Sequence, residues 1–154
     1  MPKLYVLVGV PGSGKSTWIK NQEWAADIPV VSTDKFVEEY AAKMGKTYSE
    51  VFDEYMPIAV QLMANQVLVC QANGLDIIWD QTSTTIKTRA RKFNMLPEYY
   101  AIAVVFKTPE REELNRRLAS RPGKEIPQAV VDSMIEGFVM PTEEEGFKEI
   151  WHAA

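Results

Sequence analysis

The chain has 154 residues, 46% of them hydrophobic, and a formal net charge of −4; this is the size of one domain, with apolar side chains enough for a core. The acidic balance excludes a surface that coats duplex nucleic acid, which would need many Lys and Arg contacts to phosphate. Two stretches can still form a local basic groove: Lys87, Arg89, Arg91 and Lys92, and then Arg116, Arg117, Arg121 and Lys124. A lone cysteine, Cys70, excludes an internal disulfide and reads as a small core residue. The early apolar run Leu4–Val10 is too short to span a bilayer, so the chain is expected to be soluble, unexported and cytoplasmic, with no membrane partner.

Strands and helices alternate along the sequence. Lys3–Val8 is β-branched and apolar, as a strand buried on both faces should be, and the loop from Gly9 leads into a helix through Trp18 to Asn21. Ile28–Ser32 reads as a second strand ending at Thr33-Asp34, after which Phe36, Val37, Tyr40 and Ala41 recur at helical spacing. Ser49 is placed to cap a long helix that passes Val60, Met63 and Val67 and stops at Asn73-Gly74. Asp76–Trp79 is a third strand, ending at Asp80, and a basic helix with Arg89 and Arg91 follows it. Ala101–Phe106 is the fourth strand. Pro109 suits the first turn of a helix carrying Glu113, Leu114 and Leu118, which Arg121-Pro122-Gly123 breaks. Pro127 opens another helix, and Glu149–Trp151 can add a last strand.

No repeat, low-complexity tract or linker divides the chain, so residues 1–154 are expected to form a single domain. The alternation implies a parallel sheet of four to five strands with helices on both faces, a three-layer α/β/α arrangement. In such sheets ligands gather at the carboxyl ends of the strands. Gly9, Asp34 and Asp80 all follow predicted strands, so three separate stretches should converge on one crevice.

Gly9-Val10-Pro11-Gly12-Ser13-Gly14-Lys15-Ser16 has the Walker A spacing, with a strand before it and a helix after it. Its glycines let the backbone wrap a phosphate, and its N–H groups form an anion nest at a helix N-terminus. Lys15 is suited to neutralising β and γ phosphates and the Ser16 hydroxyl to holding Mg²⁺. The expectation is a P-loop NTPase fold that binds ATP and Mg²⁺ through Gly9, Pro11, Gly12, Ser13, Gly14, Lys15, Ser16 and Thr17. Asp34 can accept a proton from an attacking hydroxyl; equally, it can cap the helix that follows. Asp80 can hold a metal-bound water or an acceptor, or close a turn with Thr82. Arg117 and Arg121, four residues apart on one helix face, can close over phosphates or pair with Glu113. No Asn-Lys-x-Asp segment of a GTPase and no paired acids of a ring-forming ATPase occur, so a kinase is the simplest reading.

With these residues in place, the chain resembles the 5′-hydroxyl kinase domain of polynucleotide kinases, of the bacteriophage and animal DNA-repair types. Pro11–Trp18 is similar to that family's P-loop, Thr33-Asp34 to its Arg-Asp, and Ile78–Ser83 to its Asp-Asn-Thr-Asn segment. Arg89-Ala90-Arg91 resembles its basic helix, Arg117 and Arg121 its lid arginines, and Pro141–Phe147 its closing segment. Ser32-Thr33-Asp34 departs from the family's Asn-Arg-Asp, and Val37 stands near the place of an arginine that reads the acceptor's phosphate. The resemblance implies a short helical lid at approximately 117–137. It makes Asp34 the general base, has Lys15 and Arg121 stabilise the moving phosphoryl group, and brings Arg117 to the nucleotide. Metal contacts then fall to Ser16 and Asp80, and acceptor contacts to Asp34, Asp80, Thr82, Arg89 and Arg91. The implied reaction is transfer of the γ-phosphoryl group of ATP to a hydroxyl of a nucleic-acid partner, most simply the 5′ end of DNA or RNA. Three other readings use the same residues: a kinase of a hydroxymethylated base, a small-molecule kinase for a sugar, nucleoside or antibiotic, and a non-catalytic ATP-binding module.

Overall fold

The structure, a computed structural model, describes residues 1–153. Five strands form one sheet: β1 (Lys3–Val8), β2 (Val30–Val31), β3 (Ile77–Trp79), β4 (Tyr100–Val105) and β5 (Glu149–His152). Six α-helices accompany them: α1 (Lys15–Asn21), α2 (Thr33–Met44), α3 (Tyr48–Ala72), α4 (Ile86–Met95), α5 (Arg111–Ala119) and α6 (Gln128–Glu136). The sheet is parallel throughout, in the order β2-β3-β1-β4-β5. The chain leaves central β1 toward β2 and β3, then returns across to β4 and β5. Consequently the loops after β1, β2 and β3 open at the same edge, as strand ends of a parallel sheet must.

Alternation along β1 explains the layers. Leu4, Val6 and Val8 face one side, packing with Met63, Val67 and Cys70 of α3 and with Leu96, Tyr99 and Phe147. Tyr5 and Leu7 face the other, with Ile78, Ile102, Val104, Phe106 and the α1 side chains Trp18 and Ile19. Both faces are apolar because both are covered, the condition that parallel strands impose. Cys70 is a core residue, 4% exposed. A third cluster joins Val10 of the loop after β1 to Leu114 of α5 and Val131 of α6, so the P-loop and the segment after β4 share one apolar contact.

Several boundaries differ from the sequence reading. The second strand is two residues rather than Ile28–Ser32, because β2 is an edge strand that pairs only with β3 at Val30 and Val31. Ser32, not Asp34, caps α2: its Oγ accepts from the Asp34 N–H at 3.1 Å. The cap of α3 is Thr47, which forms a capping box with Glu50, rather than Ser49. Pro109 lies just before α5, whose first residue is Arg111. Among the described residues no helix is long and apolar enough to cross a membrane.

Candidate active site

A cleft of about 2700 Å³ runs along the strand ends, lined by the P-loop, the tips of β2 and β3, and the segment after α5. The P-loop geometry is set by glycine where other residues would fail. Gly12 has φ +83°, and a Cβ there would lie 3.0 Å from Leu114 Cδ1 and 3.3 Å from Leu118 Cδ2. The loop therefore sits directly against α5 and can do so only without a side chain. Lys15 donates to the Gly9 carbonyl at 2.6 Å, folded back over the loop. Burial pushes its pKa down to about 8, while Asp80 and Asp34 oppose that shift and Arg121 and Lys124 add to it. An ammonium under that strain gains most from a polyanion.

The residues present fit a magnesium nucleotide. Ser13 Oγ is a buried hydroxyl in the P-loop with no protein partner, and Ser16 and Thr17 are exposed at the start of α1. Asp80 lines the same cleft, and burial raises its pKa, with Lys15 lowering it and Asp34 raising it further. Among the described residues there is no cluster of three His, Cys, Asp or Glu side chains for a metal. A cation here would therefore draw on the Ser16 hydroxyl, the Asp80 carboxylate and the phosphates it accompanies.

Asp34 does not cap a helix; its carboxylate lies in the cleft. Tyr48 Oη donates to Oδ1 at 2.6 Å and Lys124 Nζ to Oδ2 at 2.9 Å. Burial alone would raise its pKa, but the Tyr48 hydrogen bond and the Lys124 charge hold it below the usual carboxylate range. Lys124 also lies 4.5 Å from the Tyr48 ring centre and 3.4 Å from Glu38 Oε1. The segment that carries Lys124 is fastened to the start of α3. There the Ser49 N–H donates to the Gly123 carbonyl at 3.0 Å, and the Glu125 N–H to Ser49 Oγ at 2.8 Å. Gly123 has φ +68°, and a Cβ on it would fall 2.8 Å from Thr47 Cβ, so close docking requires glycine.

The two lid-type arginines have different surroundings. Arg117 donates to the Gly12 carbonyl at 3.0 Å and pairs with Glu113 at 2.9 Å, fixing α5 to the P-loop. Arg121 lines the cleft, and among the described residues no carboxylate lies within ion-pair distance of it. Thr82 also lines the cleft, its carbonyl accepting from the Gly9 N–H at 2.9 Å, which ties the β3 tip to the P-loop. Gln81 bridges Trp79 Nε1 at 3.0 Å and Thr33 Oγ1 at 3.5 Å.

Arg89 is a correction. Its side chain is 0% exposed and forms a two-pronged pair with Glu145 at 2.7 and 3.1 Å, with a third bond to the Ser83 carbonyl at 2.9 Å. It holds the turn after β3, where Ser83 takes φ +48°, and at 0% exposure it is sealed away from any acceptor in the cleft. Arg91 is exposed on α4 but does not line the cleft. Val37, at 0% exposure, is a core residue of the α2–α3 contact. The sequence reading missed Tyr48 and Ser49 as site residues and took Lys124 only as part of a charge run. No local pattern marks them, since their partners lie far along the chain.

Comparison with known proteins agrees with this geometry. A family model described as an AAA domain, AAA_33, matches residues 4–141. A shikimate kinase of Rhodococcus jostii (strain RHA1) is 49% identical over 47 residues, which is 30% of this chain and 26% of the relative; the match thus spans about a quarter of that protein's length. Three solved structures share the fold. A presumed kinase of Chloroflexus aurantiacus J-10-fl has TM-score 0.72 at 18% identity, covering 99% of this chain and 84% of its own. A gluconokinase of Sinorhizobium meliloti 1021 has TM-score 0.59 at 18% identity, covering 98% and 81%. A chain of the Pnkp1/Rnl/Hen1 complex has TM-score 0.57 at 24% identity, covering 82% and 45%. A P-loop against a parallel five-stranded sheet, matched by one family model over 4–141, establishes that the chain belongs to the AAA_33 family of AAA domains and has the architecture of a P-loop kinase.

Proposed function

We propose that this protein is a magnesium- and ATP-dependent kinase of a small polar molecule, transferring a phosphoryl group to an acceptor hydroxyl at Asp34. The observation that carries the reading is the closure of the 121–127 segment onto Asp34 through Lys124 and Ser49. It places Lys124 beside the candidate base in the cleft, while Arg89, one of the two arginines that resemblance had offered to a polynucleotide, is buried. The shikimate kinase and gluconokinase likenesses support an acceptor of that class.

When bound, the nucleotide supplies the electrophilic γ-phosphoryl group. The P-loop amides and Lys15 hold its phosphates, and Ser16 with Asp80 would hold the metal. Asp34 takes the proton of the attacking hydroxyl, and Arg121, which has no carboxylate partner among the described residues, offsets charge on the moving group. The 117–137 segment acts as the lid that excludes water. A second reading, transfer to a nucleic acid, draws on the likeness to the Pnkp1/Rnl/Hen1 chain, which covers less of either molecule than the gluconokinase likeness does.

The test is label transfer from γ-labelled ATP to sugars, polyols, hydroxy acids and nucleosides, beside 5′-hydroxyl oligonucleotides and hydroxymethylated DNA, with Asp34→Asn as control. Label on a small molecule that vanishes in the variant supports the proposal. Label on oligonucleotide or DNA alone rejects it in favour of a nucleic-acid kinase.

A further inference from the structure

Helix α3 has two long faces of opposite kind. One carries Ala59, Met63, Val67 and Cys70, all buried in the core. The other turns Pro57, Ile58, Gln61, Asn65, Leu68 and Val69 outward; all six are exposed, with Ile58 at 50%, Leu68 at 52% and Val69 at 61%. At 3.6 residues per turn they fall on one stripe. Single exposed apolar residues are ordinary, but here the run from Tyr55 to Leu75 holds no charged residue, in a chain that is 25% charged. None of the six lines the cleft, so the stripe lies outside the site already described.

The stripe is self-complementary about its centre at Met63. Its order is apolar pair, amide, amide, apolar pair: Pro57-Ile58, Gln61, Asn65, Leu68-Val69. Reversing the chain direction leaves that order unchanged, which is what an isologous contact between two antiparallel copies requires. Gln61 Nε2 already donates to Asn65 Oδ1 at 3.0 Å, which leaves the Gln61 oxygen as an acceptor and the Asn65 amide nitrogen as a donor. We propose that this face is a homodimer interface, on which α3 of a second copy lies antiparallel across a twofold axis. Pro57 and Ile58 of each copy then meet Leu68 and Val69 of the other, and the two Gln61–Asn65 pairs close into a ring of four amides at the axis.

Charge selects the occupant. Two copies that each carry a net charge of −4 repel, and least where the touching surface bears no charge. A lipid surface fits poorly, because Asp53, Glu54 and Asp76 flank the uncharged run, which has no Lys or Arg within it, and anionic headgroups attract basic flanks. The central amides would also enter an acyl layer without partners, whereas in the dimer they pair with one another. The amide ring sets the register, as a buried polar residue does in a coiled coil. From Pro57 to Val69 the stripe is about 18 Å long and one helix wide. That is smaller than a standard interface of about 1,600 Å², so the dimer forms and dissociates with concentration.

Sedimentation equilibrium of the full chain from about 1 µM to about 1 mM, the range in which a contact of this size associates, reads the mass. It should rise from 17.5 kDa towards twice that value. Ile58→Lys and Val69→Glu each set an unpaired charge against an apolar partner at both ends of the contact, so each should weaken association by about tenfold or more. Both positions are exposed, so the fold, followed by circular dichroism, should be kept. Mixing the two variants is the decisive arm. One end of the mixed dimer then joins the new cation to the new anion while the other keeps Ile58 against Val69, so association should return in the mixture alone. A wild-type chain that stays at 17.5 kDa throughout overturns the proposal, whether it binds phosphatidylcholine vesicles through this face or binds nothing. A dimer untouched by Val69→Glu also overturns it, since that dimer uses another surface, and a mixture that stays monomeric overturns the antiparallel pairing. The kinase reading stands or falls separately, on label transfer.

Discussion

Replacing Arg89 by methionine keeps the length of the stem and removes the guanidinium, which separates a structural arginine from one that touches substrate. The wild-type side chain is 0% exposed and its partner Glu145 only 9%. The change removes the bonds to Glu145 at 2.7 and 3.1 Å and the bond to Ser83 O at 2.9 Å. Breaking a buried pair by removing one partner costs about 3–5 kcal/mol. Glu145 keeps one donor, the Thr142 N–H at 2.9 Å, so the lower end applies, about 3 kcal/mol. Against a total stability of about 5–15 kcal/mol, that lowers Tm by roughly 6–12 °C for a domain of this size. Urea unfolding followed by circular dichroism gives the loss directly. The double variant Arg89→Met/Glu145→Leu should regain most of it, because an apolar pair of similar volume is often as stable as the ion pair it replaces. A variant that unfolds at the wild-type urea concentration yet loses phosphoryl transfer would refute the structural role and return Arg89 to the acceptor.

Asp34→Asn should reduce transfer by about 10²–10⁴ in kcat while ATP affinity measured by calorimetry is retained; an undiminished kcat would remove Asp34 from the chemistry. Gly123→Ala places a Cβ 2.8 Å from Thr47 Cβ at φ +68°, so the lid should fail to dock, and hydrogen exchange at Ser49 and Glu125 should speed up. Equal exchange in the two proteins would show that the segment relaxes without undocking. Lys15→Met should abolish ATP binding yet stabilise the nucleotide-free protein. Burial lowers the Lys15 pKa from 10.5 to about 8, which corresponds to a cost on the order of 3 kcal/mol. The sign follows from proton uptake: between the two values the unfolded chain binds more protons, so wild-type stability rises with pH there. The cost is complete below about 8 and gone above 10.5, so the stability gap between variant and wild type should narrow in urea titrations from neutral pH upward. A gap that does not change with pH would mean that packing, not charge, separates the two proteins.

What the sequence determined by itself is the part of the molecule whose causes are local. Lys3–Val8 had to be a strand covered on both sides, since five of its six residues are buried apolar side chains. The glycines and Lys15 had to form a P-loop, because the positive φ at Gly12 and Gly14 suits only glycine and strand and helix flank the segment on either side. The parallel sheet followed from alternation, and the strand ends then brought the P-loop from Pro11 onward, Asp34 and Asp80 into one cleft. Caps were less legible: Ser32, Thr47 and Ser49 are chemically equivalent candidates, and only the start of each helix selects among them.

Tertiary structure alone decided what the charged groups do. Tyr48 reaches Asp34 across 14 residues and Lys124 across 90, while Arg89 finds Glu145 across 56. Read in sequence, Arg89 and Arg91 are two members of one basic run; in the fold one is sealed inside and the other faces solvent. A charge run carries no record of direction, because helical spacing gives relative faces but not which face the sheet covers. For the same reason Lys124 looked like one more surface cation, and only the docking of Gly123 against Thr47 and Ser49 set it on the candidate base.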